Sequence, residues 1–223
     1  NGRIEEHEGT ASITLNSTGS YTISAEATGG WGNKKTENSG TYYIDATKPI
    51  VGEIGGNTST WTTSKTLATT LTDGNSGVCA YAVTTSSSEP KTWTNIGCTN
   101  TYSFSHTVAE NNTYYIWAKD GAGNVSTSQS VHVTTIDTII PSLTVSDYNG
   151  ATFGGMGGSV VCKYGNTTVT NVNYFGAGGT YSVSCTAYGN NGKNSGAKTM
   201  SITVVNPIMS GSQLATNAGL SNV

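Results

Sequence analysis

The chain has 223 residues, of which 35% are hydrophobic and only 10% charged, with a formal net charge of -3. Its polarity rests on hydroxyls, amides and 29 glycines, which favours small cores over one large one and offers no basic face to a phosphate backbone, so nucleic acid is not an expected partner. No run approaches the roughly 18 apolar residues of a membrane span, and no leader with a basic then apolar pattern opens the chain.

Taken in chain order, the first element is "TGSYTISAEATGGWGNKK", an alternating run from Tyr21 that breaks at a Gly-rich turn bearing Trp31. A second alternating run, "SGTYYIDATKP", follows and meets Pro49. The same phrase returns as "NNTYYIWAKDGAGNVS" with Tyr114, leading to "QSVHVTTIDTIIP" and Pro141. It returns again as "GGTYSVSCTAYGNNGKNS" with Tyr181, leading to "KTMSITVVNP" and Pro207. In register, Tyr21, Tyr114 and Tyr181 precede Ile23, Ile116 and Val183 by two residues, and Ala25, Ala118 and Cys185 by four. Period 2 with β-branched and aromatic residues predicts strands, and the following Gly and Asn residues supply the positive φ of a hairpin turn.

Repeats and prolines together predict four segments: residues 1–47, the last strands of a module; 48–138, a complete module; 139–205, a shorter one; and 206–223, a tail or the start of another. In the complete module the alternation predicts strands at Thr66–Leu71, Val78–Val83, Lys91–Ile96, Tyr102–Thr107, Tyr114–Lys119 and Val131–Ile136. No window carries a 3.6-residue apolar stripe, so the chain reads as all-β. A two-strand remnant over 1–47 would leave a face and an edge uncovered, to be completed by preceding sequence in a longer chain or by strand donation from an identical subunit.

The four cysteines fall two per module. Pairing Cys79 with Cys98 and Cys162 with Cys185 is the simplest of three connectivities and implies an oxidising location. The second pair, in two alternating strands, suggests a bond across a sandwich, the first a tie between neighbouring strands or a strand and its loop. Free buried thiols are the other reading; a zinc site is disfavoured because neither pair has CxxC spacing.

No catalytic constellation is visible. His7, His106 and His132 lie in a tail and on two strands, and G-x-S-x-G, H-E-x-x-H and P-loop motifs are absent from the sequence. Asp120, Gly121, Gly123 and Asn124 carry a single carboxylate and read as a turn, not a calcium loop. Asp45 and Asp137, near the prolines, are better placed for an ion but have no acidic cluster in the sequence around them. No catalytic residue, metal or cofactor is therefore expected. Trp93 and Trp117 suit a core, whereas Trp31 in its Gly-rich turn is the tryptophan best placed to stack on a sugar.

The segments "SGVCAYAVTT", "WTNIGC", "NNTYYIWAKDGAGNVS" and "IDTIIPSLTV" resemble the bacterial immunoglobulin-like modules strung along large secreted and cell-surface proteins. The resemblance implies tandem immunoglobulin-like β-sandwich modules joined by short proline-containing linkers. It also implies that Tyr21, Tyr114 and Tyr181 form tyrosine corners, while the antibody-type cysteine two residues later is replaced by Ile23, Ile116 or Val183. Expected, on that basis, is a non-enzymatic segment of an extracellular stalk, adhesin or filament, its partner a protein or glycan on a host or neighbouring surface, or identical subunits. The alternatives are a carbohydrate-binding accessory module of a secreted hydrolase and a phage virion appendage.

Overall fold

The computed structural model describes residues 12–144, 150–155, 157–170, 174–175 and 177–204. Among these the chain is all-β, without an α-helix. His7 and the predicted tail over 206–223 lie outside the described residues. The chain divides into two compact units, residues 1–57 with 66–134, and residues 58–65 with 135–223.

The first unit opens with an antiparallel hairpin of β1 (Gly19–Thr28) and β2 (Lys34–Ile44). None of its residues is fully buried, so the hairpin has no apolar core of its own. Two further sheets follow. One orders β3 (Ile50–Val51), β4 (Lys65–Thr72) and β7 (Thr101–Val108); the other orders β6 (Thr94–Thr99), β5 (Val78–Thr84), β8 (Asn112–Asp120) and β9 (Gln129–Val133).

In β4 the alternation is carried to completion: Leu67, Thr69 and Leu71 are buried while Thr66, Ala68 and Thr70 are exposed. That is how a strand covers one face of a core and leaves the other to water. Val51 and Leu71 from one sheet meet Val78, Ile116 and Ala118 from the other around Phe104, so the two sheets enclose a single core. Tyr81 closes its side, edge-on to Phe104 with centroids 5.1 Å apart.

Two predicted strands shift. The ladder of β6 starts at Thr94, opposite Tyr81, not at Lys91, because Pro90 lacks an N–H and Trp93 lies under the Lys119 ammonium, 4.8 Å from its ring. Strand β9 stops at Val133, paired with Asn112. Ile136 leaves that ladder to bridge Thr62 in parallel, within the second unit. Such a departure depends on a partner over seventy positions away, which alternation cannot signal.

In the second unit, β10 (Ser142–Thr144) pairs with β11 (Gly150–Thr152), and a four-stranded sheet orders β13 (Thr167–Thr168), β12 (Gly158–Tyr164), β14 (Gly179–Gly189) and β15 (Lys198–Val204). Leu143, Phe175, Val183, Cys185 and Ala187 form its core, with Phe175 stacked on Tyr181 at 4.1 Å. Pro49 and Pro141 are both buried and each immediately precedes the first strand of its core, β3 or β10. The buried Lys65 ammonium is satisfied by the carbonyls of Thr58 and Thr60, each 2.8 Å away.

Each unit holds one disulfide, Cys79–Cys98 and Cys162–Cys185. The first ties β5 to its neighbour β6. The second departs from the expected bond across a sandwich: Cys162 and Cys185 face each other on the adjacent strands β12 and β14 of one sheet. Alternation places a cysteine on a face, but only strand order says whether its partner is beside it or opposite.

Candidate functional site

The three repeated phrases fold into the same turn. Gly29 N donates to Asn33 O (2.8 Å) and Gly32 N to Gly29 O (2.8 Å); Asp120 with Asn124 and Gly123, and Gly189 with Lys193 and Gly192, repeat both bonds at 2.8–3.4 Å. The residue in the fourth place needs a left-handed backbone, and Gly32, Gly123 and Gly192 supply it with φ of 78°, 97° and 81°. In two of the three, a serine locks the return strand: Ser126 Oγ accepts from Ala118 N at 2.9 Å and Ser195 Oγ from Ala187 N at 3.0 Å.

At the other end of each strand a tyrosine hydroxyl donates to the carbonyl four residues upstream. The pairs are Tyr21 with Ser17 (2.9 Å), Tyr114 with Glu110 (2.8 Å) and Tyr181 with Ala177 (2.9 Å). Burial, then the negative charge of Glu110, raises the Tyr114 phenol above its usual range, against the smaller opposing effect of its bond to the Glu110 carbonyl.

Trp31 stands in the β1–β2 turn with 96% of its surface exposed. Trp117 is buried, its Nε1–H donating to Thr84 Oγ1 at 3.3 Å, while Trp93 is half-buried. His132 shares a hydrogen bond with Thr113 Oγ1 at 2.9 Å, and His106 stacks on Phe104.

The densest chemistry lies where the first hairpin hands on to the first core. Asp45 follows β2, Asp73 follows β4, and Asp120 ends β8; each brings a carboxylate oxygen to within 4.8 Å of the other two. Asp73 and Asp120 are buried, at 5% and 3% exposure. The segment after β4 curls over Asp73, whose Oδ1 accepts from Asn75 N (3.1 Å) and Gly77 N (2.9 Å). Gly77 has a φ of 77° and lies so close to Thr99 that a Cβ would approach its backbone at 3.1 Å.

Asp45 Oδ2 accepts from both the hydroxyl (2.6 Å) and the amide (3.0 Å) of Ser76, and Oδ1 from Thr47 N (2.9 Å). The Ser76 hydroxyl is the main cause that holds the Asp45 carboxyl below its usual range, with the amides of Thr47 and Ser76 adding to it and partial burial opposing it. Asp120 accepts from Asn124 N and Asn124 Nδ2, both at 2.7 Å, and the same Nδ2 also donates to Asp45 O at 3.0 Å.

What is missing from this nest is a cation of the protein's own. Among the described residues no Lys, Arg or His pairs with any of the three aspartates. Two unit charges about 5 Å apart repel by roughly 3 kcal/mol at an effective dielectric near 20. Amides and one hydroxyl offset part of that cost, but Asp73 Oδ2 is buried and has no hydrogen-bond donor among the described residues. Three carboxylates of this kind are hard-oxygen ligands, suited to an alkaline-earth ion.

In the sequence Asp45 and Asp120 stand far apart, neither with an acidic cluster around it, and no local pattern points to Asp73. Asp137, the other aspartate beside a proline-bearing segment, belongs to the second unit, with its Oδ1 accepting from Ile139 N at 2.9 Å. No protein-family model matches the chain, and no curated protein matches it.

Proposed function

We propose that the chain is a non-enzymatic structural segment of an extracellular surface stalk, adhesin or filament, built from tandem immunoglobulin-like β-sandwich modules joined by short proline-containing linkers. The observation that carries this reading is the threefold return of one device: a tyrosine tied to the carbonyl four residues back, a strand, and the same Gly-dependent turn. A device repeated for its backbone geometry, with different side chains on it each time, serves architecture and not one reaction. Two disulfides fit an oxidising compartment outside the cytosol. Partners on this reading are a protein or glycan on a neighbouring surface, or identical subunits donating strands to the β1–β2 hairpin.

Antibodies raised against the chain test it on the source cells. Labelling of intact cells is expected; signal only after lysis, or only on virions, would sink the stalk and in the second case favour a phage appendage. A second reading, a carbohydrate-binding accessory module, is favoured by the almost complete exposure of Trp31. It predicts tryptophan quenching by a polysaccharide that Trp31→Ala abolishes; no quenching across a panel of polysaccharides would remove this second reading.

A further inference from the structure

We propose that Asp45, Asp73 and Asp120 form a binding site for one calcium-class divalent cation, which fastens the segment after β2 onto the first core. The inference is independent of the stalk reading. Asp73 is 95% buried, and among the described residues no N–H or O–H is provided for its Oδ2. Buried polar atoms almost always find a partner, and an orphan acceptor beside two more carboxylates has the electronic character of an unfilled ligand position for a cation.

The chemistry selects the class of ion. All three donors are carboxylate oxygens, which excludes the nitrogen- and sulfur-rich sets that zinc takes. Oxygens that all lie within 4.8 Å of one another share a centre at most about 2.8 Å from each, close to the calcium–oxygen range of about 2.3–2.6 Å. Asp45 opens onto a cleft of about 510 Å³, lined also by Thr18, Tyr43, Asn75 and Ser76 and by the neighbours of the other two aspartates, Gly74 and Gly121, with no basic residue in its wall. Ser76 and Asn124 hold the carboxylates of Asp45 and Asp120 in place by hydrogen bonds, which is how outer-shell groups preorganise ligands.

The test uses the full chain, stripped with chelator and titrated with calcium chloride by calorimetry, with terbium(III) luminescence as a second probe. One calcium per chain is expected, with magnesium binding more weakly. Asp73→Asn and Asp120→Asn should each lose roughly tenfold or more in affinity, and Asp137→Asn should leave the titration unchanged. Should a variant fail to fold, the wild-type chain still decides: calcium should shift the amide resonances of Ser76, Gly77 and Asn124, and Tyr43→Phe should weaken sensitised terbium emission. No binding below about 10 mM calcium, or binding that leaves those amides unmoved, would overturn the proposal.

Discussion

The stretch after β2 and the stretch after β9 are written alike, "IDATKP" and "IDTIIP", and the chain treats their backbones alike. In both, the aspartate accepts from the amide two residues on: Thr47 N to Asp45 and Ile139 N to Asp137, each at 2.9 Å. In both, an asparagine from the repeated turn donates its side-chain amide to the aspartate's carbonyl: Asn124 to Asp45 at 3.0 Å, Asn191 to Asp137 at 3.1 Å.

The charges differ. In the first unit Asp120 opens the turn and Asp73 lies near it. In the second, Gly189 takes the place of Asp120, and the space its Cβ would enter is held by Asn191 Oδ1 at 2.7 Å. Asn191 also reaches Ile139 O at 2.7 Å, and the Lys193 ammonium reaches Thr138 O at 2.8 Å. The carbonyls of Asp137, Thr138 and Ile139 are thus met by the protein's own donors. One geometric solution therefore serves two electrostatic ones, a cluster that wants a cation and a joint that brings its own.

The comparison can be broken at several levels, beginning with the strongest cross-links. Reducing the disulfides should cost each unit about 3 kcal/mol, and by nearly equal amounts, because their loops of 19 and 23 residues differ little in closure entropy. Denaturant midpoints of Cys79→Ser/Cys98→Ser and Cys162→Ser/Cys185→Ser variants measure this; a strongly unequal loss would show that strain or residual structure outweighs chain entropy.

Next comes Gly154→Ala, whose Cβ would overlap both carboxylate oxygens of Asp137. Displacing a buried carboxylate should destabilise the second unit by about 2 kcal/mol, with no dependence on calcium, as read by thermal melts with and without chelator. The asparagines sharpen the contrast: Asn124→Ala and Asn191→Ala should each cost about 1–2 kcal/mol by leaving acceptors unpaired. Added calcium should recover part of the first loss and none of the second.

Smallest is Lys193→Ala. Its ammonium is exposed, so the change should stay within about 0.5 kcal/mol, detectable as faster hydrogen exchange near Thr138 more readily than as a shifted melt.

The local pattern determined the strands, the turns and the three tyrosines, because alternation and Gly placement act within a few residues of each other. Tyr114 and the Gly123 turn are legible from the phrase around them, and the cysteines from their parity. Tertiary structure alone decided that Cys162 and Cys185 sit side by side in one sheet, that Ile136 leaves the β9 ladder for Thr62, and that Asp45, Asp73 and Asp120 converge. Each of these depends on which strands become neighbours, and strand order is set by core burial over long separations. A lone aspartate in a Gly-rich turn therefore reads as a turn until the sheet brings two more beside it.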